Sequence, residues 1–128
     1  MWVSNLRVAD FTVQAGNLKE NRPWGFYRIL DESNNYKVKY LYVDPKQKLS
    51  YQSHTKRAEH WFIVSGIAEV TINDQKMIVG PGDTIDIAIG DKHRIESGEN
   101  PVEFIEVQTG TYFGEDDITR YEDAYGRE

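Results

Sequence analysis

The stretch from residue 49 to residue 72, LSYQSHTKRAEHWFIVSGIAEVTI, decides the fold of this chain. It contains three short segments, at 49–54, 59–64 and 67–72, in which apolar and polar residues tend to alternate. Alternation with a period of two, together with β-branched and aromatic residues, is typical of half-buried β-strands. The stretch therefore predicts three consecutive strands joined by short turns.

The same pattern continues on both sides of this stretch. Residues 36–43, YKVKYLYV, alternate basic residues with aromatic and aliphatic ones. Asn73-Asp74 is a turn signal, and it predicts a hairpin between 67–72 and the segment that follows. Many short strands at this spacing predict an all-β sandwich or small barrel. The further predicted strands are 76–79, 84–89, the segment that carries His93, and 102–109.

The two ends of the chain differ from this pattern. Gly114 is followed by three acids at 115–117, and acids are favourable at a helix N-terminus. We therefore expect a short C-terminal helix, with Ile118 and Tyr121 on one face. Residues 1–21 are interpreted as an N-terminal arm or an extra strand, within which 6–13 is the strand candidate. Residues 22–128 are expected to form a single domain, because no repeat or linker divides them.

Composition excludes several classes of protein. The chain has 128 residues, no cysteine and a formal net charge of −6. The missing cysteines exclude disulfides and thiolate metal ligands, and the negative charge argues against nucleic acid as a partner. The N-terminus lacks the pattern of a secretory signal, and no apolar run has the ~20 residues of a membrane span. We expect a cytoplasmic protein with no membrane partner.

Four residues in the predicted strands form a candidate metal site. The spacing of Gln52 and His54 places both on one face of a strand, and Glu59 follows from the next strand after a short turn. His93 comes from a distant strand. Two imidazoles with amide and carboxylate oxygens suit a divalent transition metal: Zn, Co, Mn, Ni or Fe. The alternative for Gln52 and His54 is that they are ordinary strand residues that face solvent.

Two motifs resemble those of the cupin family. Residues 52–66 read Q-x-H-x4-E-x6-G, which resembles the first cupin motif with Gln in place of its usual first His, and 82–93 read G-x7-G-x2-H, which resembles the second. More specific blocks resemble the type II phosphomannose isomerase domain, over about 22–127. These blocks are RPWG at 22–25, LSYQ at 49–52, RAEHW at 57–61, IEVQ at 105–108 and GEDDITR at 114–120.

The resemblance implies a fold, a reaction and partners. The fold is the cupin double-stranded β-helix, a jelly-roll barrel. The reaction is the metal-dependent interconversion of mannose-6-phosphate and fructose-6-phosphate through an enediolate, in polysaccharide metabolism. In that family the domain is usually the C-terminal part of a bifunctional mannose-1-phosphate guanylyltransferase/isomerase, so a separate guanylyltransferase is an expected partner. We also expect a homodimer, because edge strands need protection.

Four further residues are candidates for catalysis or substrate binding. Lys56 stands where the bifunctional enzymes commonly carry a second His, and it is a candidate proton carrier or phosphate ligand. Arg120 is a candidate catalytic residue with a substrate role implied by the resemblance; its alternative is an ion pair on the helix surface. Tyr51 and Arg57 are candidate substrate-binding residues, and Arg57 alternatively braces the turn by pairing with an acid.

Two other functions fit the same motifs. One is a non-catalytic sugar-binding cupin, or a detached partner of a mannose-1-phosphate guanylyltransferase. The other is a metal-dependent cupin oxygenase or decarboxylase, since one fold hosts many chemistries. Gln52 in place of a histidine argues against the oxygenase, which usually has more imidazole at its metal.

Overall fold

The computed structural model describes residues 18–127, and within that range the chain forms eleven β-strands and no helix. The sequence consists mainly of short segments in which apolar and polar residues alternate. Each segment is too short to bury its apolar face alone, so the segments pair into sheets. The strands are β1 (Glu20–Arg22), β2 (Gly25–Glu32), β3 (Tyr36–Val43), β4 (Tyr51–Ser53), β5 (Arg57–Ser65), β6 (Ala68–Ile72), β7 (Gln75–Val79), β8 (Thr84–Ile87), β9 (His93–Ser97), β10 (Val102–Gly110) and β11 (Thr119–Glu122).

The strands pair into two antiparallel sheets. The six-stranded sheet has the order β1-β2-β3-β10-β5-β8, and the five-stranded sheet has the order β11-β4-β9-β6-β7. Strands that are close in sequence often belong to different sheets, as β4 and β5 do, so the chain crosses repeatedly between the two layers. This arrangement confirms the predicted all-β jelly roll.

The hydrophobic core lies between the two sheets. The six-stranded sheet contributes Trp61, Ile63 and Phe104, and the five-stranded sheet contributes Val70 and Ile95. All five side chains are 2% exposed or less. Burial of side chains from both inner faces is what holds a sandwich together.

Local signals predicted several of these elements closely. The observed β3 matches the predicted 36–43. Asn73 and Asp74 have φ angles of 48° and 69°, as the two central residues of a type I′ hairpin turn require. Gly66, the last residue of the first motif, has φ of 88°, and a Cβ there would lie 2.2 Å from the carbonyl oxygen of Pro101. A side chain at this position would therefore collide with the backbone.

The predicted C-terminal helix is wrong. Residues 115–117 form a turn, closed by a 3.2 Å hydrogen bond from the Asp117 amide to the Gly114 carbonyl, and the chain then enters β11. The acids that suggested a helix N-terminus have other partners: Glu115 pairs with Lys39, and Asp117 accepts hydrogen bonds from residues 55 and 56. These long-range contacts outweigh the local helical preference.

The inner faces of three neighbouring strands change from apolar to polar at the same level. In β3, β10 and β5, Leu41, Phe104 and Ile63 lie opposite one another in register. Two residues further along, the next rows on this face are Lys39–Glu106–Trp61 and Lys37–Gln108–Glu59. The two lysines of β3 are thus buried, while Tyr40 and Tyr42 face outward. One end of the barrel is an apolar core and the other end is a polar cavity.

Several apolar side chains remain exposed on the outer surface. Phe62 and Val64 on β5 are each 44% exposed, and Ile78 on β7 is 67% exposed.

Homodimerisation stays a prediction, and the candidate strand at 6–13 lies outside the described residues. Across residues 18–127 no helix is long and apolar enough to cross a membrane.

Candidate metal centre

Three of the four predicted metal ligands converge at the polar end of the barrel. His54 follows the last residue of β4, Glu59 lies in β5, and His93 is the first residue of β9. Potential ligand atoms of His54, Glu59 and His93 all lie within 4.8 Å of one another. The two histidines come from the five-stranded sheet and the carboxylate from the six-stranded sheet, so the packing of the sheets creates this group.

The distances within the group are short. Nε2 of His54 lies 3.2 Å from one Glu59 oxygen, and Nε2 of His93 lies 3.6 Å from the other. The centroids of the two imidazole rings are 5.1 Å apart. All three residues are 4% exposed or less. A buried cluster of two imidazoles and one carboxylate is a ligand set that divalent transition metals accept.

The outer nitrogens of both histidines are held by backbone carbonyls. Nδ1 of His54 is 2.7 Å from the Asp117 carbonyl oxygen, and Nδ1 of His93 is 2.9 Å from that of Asp91. A carbonyl oxygen can only accept a hydrogen bond, so the proton of each imidazole is on Nδ1. Each Nε2 therefore has a lone pair, which faces Glu59. Metal-binding histidines are usually oriented in this way. The residues present therefore fit a metal.

The charges of the group also suit a cation. Burial by itself raises the pKa of Glu59, but the adjacent imidazoles of His54 and His93 and the guanidinium of Arg57 hold that pKa well below its usual range. Burial lowers the pKa of His93, against the raising effect of the Glu59 charge. The carboxylate is thus ionised and the His93 imidazole neutral at pH 7, the forms that bind metal.

Gln52 lies beside this group. In the pairing of β4 with β9 it is directly opposite His93, and its side chain lines the same cavity. Its amide nitrogen donates to the Ser50 hydroxyl at 2.9 Å and to the Ser50 carbonyl at 3.3 Å. Because the nitrogen is held in this way, Oε1 is the atom that Gln52 can offer to a metal.

Asp117 fastens the turn that connects the ligand-bearing strands. Its carboxylate accepts hydrogen bonds from the Thr55 amide at 3.0 Å, the Thr55 hydroxyl at 2.8 Å and the Lys56 amide at 3.0 Å. Its backbone carbonyl holds Nδ1 of His54. Asp117 is more than sixty residues away in sequence, and the sequence reasoning missed it. It is a positioning residue for His54.

Replacing Asp117 by alanine is expected to weaken metal binding by about 10–100-fold, the usual effect of removing an outer partner of a metal ligand. The turn at 55–56 loses three hydrogen bonds, so His54 is no longer held toward Glu59. Competition for metal with a chromophoric chelator measures the affinity. Asp116→Ala is the matched control, because among residues 18–127 the Asp116 carboxylate accepts only from the Tyr112 hydroxyl. Equal affinity of the two variants would contradict the positioning role.

The four candidate catalytic and substrate residues occupy different places. Arg57 and Arg120 line a cavity of about 70 Å³ beside the ligand group. Arg57 pairs with Glu59 at 3.0 Å, which is the alternative that the sequence left open for it. Lys56 is exposed, with Nζ 5.2 Å from the centre of the Tyr112 ring, and Tyr51 exchanges hydrogen bonds with Asp74. Neither Lys56 nor Tyr51 belongs to the cavity wall.

Glu106 is a wall residue that the sequence reasoning did not identify. The indole nitrogen of Trp61 donates to Glu59 at 3.0 Å and to Glu106 at 3.1 Å, so the two buried carboxyls share one donor. Burial, followed by the charge of Glu59, raises the pKa of Glu106 to about 7. The alternation of the sequence could have identified Glu106. In 102–109, the pattern that buries Val102 and Phe104 also turns Glu106 and Gln108 inward.

Comparison with known families identifies the chain. Residues 12–123 match the model of the mannose-6-phosphate isomerase C-terminal family, which covers most of the chain. The chain belongs to this family. This member of the mannose-6-phosphate isomerase C-terminal family carries His54 and Glu59 in the motif at 52–66 and His93 in the motif at 82–93.

Two relatives match this chain over part of their own length. The xanthan biosynthesis protein XanB of Xanthomonas campestris pathovar campestris is 44% identical over 126 residues, covering 98% of this chain and 27% of XanB. The mannose-1-phosphate guanylyltransferase ManC of Salmonella typhimurium is 46% identical over 107 residues, covering 83% of this chain and 22% of ManC. The chain thus spans about a quarter of the length of these relatives.

A solved structure shows the fold. An oxalate decarboxylase variant of Bacillus subtilis superimposes with a TM-score of 0.70 and 25% identity, covering 84% of this chain and 31% of that one. This similarity and the two facing antiparallel sheets confirm the cupin fold that the two motifs indicated.

Proposed function

We propose that this family member is a metal-dependent sugar-phosphate isomerase that interconverts mannose-6-phosphate and fructose-6-phosphate through an enediolate. The observation that carries the proposal is the convergence of His54, Glu59 and His93 beside a cavity lined by arginines, in a chain of this family. The site combines metal-binding groups with positive charge for an anionic sugar.

Each side chain of the ligand group has a defined part in the proposal. His54 and His93 hold a divalent metal through Nε2, Glu59 through its carboxylate and Gln52 through Oε1. A metal bound there supplies a Lewis acid that stabilises negative charge on the substrate oxygens. Arg57 keeps Glu59 ionised and oriented through its 3.0 Å ion pair. The metal is Zn, Co, Mn, Ni or Fe.

Isomerisation also needs a group that moves a proton between neighbouring carbons. Lys56 was the candidate from the sequence, but its ammonium lies over Tyr112, whereas Glu106 lines the cavity beside Glu59. We therefore propose Glu106 as the proton carrier. Its donors, Trp61 and Gln108, orient the carboxyl within the cavity.

The names of the relatives support a proposal for the cellular setting. One relative is named a mannose-1-phosphate guanylyltransferase and another a xanthan biosynthesis protein, and both are longer than this chain. We propose a role in polysaccharide biosynthesis in the cytoplasm, with a separate guanylyltransferase as a partner.

The purified protein, loaded with Zn, Co or Mn, is expected to convert mannose-6-phosphate to fructose-6-phosphate. A coupled assay for fructose-6-phosphate measures the turnover, and elemental analysis gives the metal occupancy. Absence of turnover at full occupancy with each of these three metals would refute the isomerase. Retained sugar-phosphate binding would then favour the non-catalytic sugar-binding cupin, and oxygen consumption or release of CO₂ would favour the oxygenase or decarboxylase.

Two variants in the same assay separate the candidate proton carriers. Glu106→Gln is expected to lower kcat by about 10²–10⁴-fold, the usual contribution of a positioned acid or base. Lys56→Ala is the control and is expected to leave kcat within about twofold. The reverse pattern would assign proton transfer to Lys56.

A further inference from the structure

Arg120 lies in a row of inward-facing residues that leads to the ligand group. It is directly opposite Gln52 in the pairing of β11 with β4, and Gln52 is directly opposite His93 in the pairing of β4 with β9. Residues opposite one another in antiparallel strands share a face. Arg120, Gln52 and His93 all line the cavity. Arg120 therefore lines the same cavity as the predicted metal ligands Gln52 and His93.

The other cations of the cavity wall have carboxylate partners. Each of the following pairs lies within 4.0 Å: Arg22–Glu20, Lys39–Glu115, Arg57–Glu59, Arg94–Glu122 and Arg127–Asp123. Within residues 18–127 no salt bridge joins Arg120 to a carboxylate, and its Nε is buried without a hydrogen-bond partner.

Arg57 contributes a second unpartnered nitrogen. The residue is 6% exposed, and while Nε and Nη2 bond Glu59 and His54, its buried Nη1 has no partner in the same range. Native proteins pair nearly all their buried polar groups, so exceptions call for an explanation. Both arginines line one cavity, and an anionic ligand there would satisfy these two nitrogens.

We propose that Arg120 binds the phosphate group of the sugar phosphate. The identity of the anion as a phosphate rests on the proposed function. A guanidinium offers a planar fork of donors that matches two phosphate oxygens, and charge-assisted bonds of this kind are the strong ones. The positive charge of Arg120 balances part of the phosphate charge.

The position of Arg120 also suits the length of the substrate. Two strand spacings, about 10 Å, separate the backbones of Arg120 and His93. An open-chain hexose-6-phosphate carries its reactive carbonyl and its phosphate at opposite ends. With the phosphate at Arg120, the sugar passes over Gln52 and its carbonyl end reaches the ligand group. The arrangement selects phosphorylated sugars over free sugars.

Calorimetric titration of the metal-free full chain with inorganic phosphate tests the inference. Removing the metal with a chelator excludes phosphate binding through the metal. The wild type is expected to bind phosphate, and Arg120→Gln is expected to weaken binding about tenfold or more, the effect of losing a charge-assisted hydrogen bond. Ionic strength is held constant, since salt screens such contacts.

Arg28→Gln is the matched control. It removes the same charge from the outer face of β2, where Arg28 lies over the Tyr40 ring, and is expected to leave the affinity within about twofold. Arg120→Lys keeps the charge but loses the fork. Its affinity is expected between those of the wild type and Arg120→Gln, and it replaces the Gln variant if that protein does not fold.

The outcomes separate the inference from the proposed function. Phosphate binding that depends on Arg120, in a protein without isomerase turnover, supports the anion site and removes the isomerase. Turnover with unchanged phosphate affinity in Arg120→Gln, or a wild type that does not bind phosphate, overturns the anion site and leaves the isomerase in place. Oxalate binding that depends on Arg120, without phosphate binding, overturns it as well.

Discussion

Replacing His93 by alanine is expected to abolish retention of a divalent metal. Nε2 of His93 points at Glu59 from a distance of 3.6 Å, and the residue is one of only two imidazoles in the ligand group. Loss of an outer hydrogen-bond partner lowers metal affinity by about 10–100-fold, and removal of a direct ligand should lower it further. His54→Ala should have the same effect. Elemental analysis after gel filtration gives the metal content of each variant.

Two controls distinguish a ligand from a general disturbance of the fold. His60→Ala removes the remaining histidine, whose Nδ1 lies 2.5 Å from Asp86 on the outer surface. Lys56→Ala removes the side chain that lies over Tyr112. Both variants should retain one metal per chain. A His93→Ala protein that retains one equivalent of metal would refute the site as described.

Replacing Glu59 by alanine is expected to destabilise the metal-free protein by about 3–5 kcal/mol, the cost of leaving the other charge of a buried ion pair without its partner. Arg57 is 6% exposed, and Glu59 accepts from its Nε at 3.0 Å and from the Trp61 indole at 3.0 Å. Such a loss is a large part of the free energy of unfolding of a domain, which is usually about 5–15 kcal/mol. Urea unfolding in the presence of a chelator measures it.

Glu99→Ala is the control for this measurement. Glu99 pairs with Lys46 at 3.5 Å, but the two side chains are 82% and 69% exposed. Ion pairs at the surface contribute about 0–1 kcal/mol, so the variant should unfold nearly as the wild type does. A loss below about 1 kcal/mol for Glu59→Ala would show that Arg57 finds solvent or another partner.

Local sequence patterns predicted the parts of the fold that depend on neighbouring residues. Alternation over 36–43 and 67–72 predicted strands that the structure contains, because side-chain period is a property of a single segment. Asn73-Asp74 predicted a hairpin because those residues tolerate the φ angles it needs. At 114–117 the same kind of reasoning failed, since Glu115 and Asp117 have partners about 60 to 76 residues away.

The candidate site was predictable only in part. The motif spacing selected Gln52, His54, Glu59 and His93, and the structure brings the last three together in one group. Glu106 and Asp117 were missed, because their roles depend on which strand lies next to β5 and on where β11 begins. The register that places Glu106 opposite Trp61, and Arg120 opposite Gln52, is a property of the assembled sheets.

The sequence by itself determined that this chain is a series of short strands, that it belongs with the cupins, and that four particular side chains are candidate metal ligands. Only the tertiary structure decided which strand faces point inward, so that two lysines of β3 are buried and its tyrosines lie outside. It also decided that Arg120 lines the cavity, where its Nε has no partner within the described residues 18–127. The reason is physical: alternation defines two faces of a strand, but the packing of one sheet against another selects the buried one.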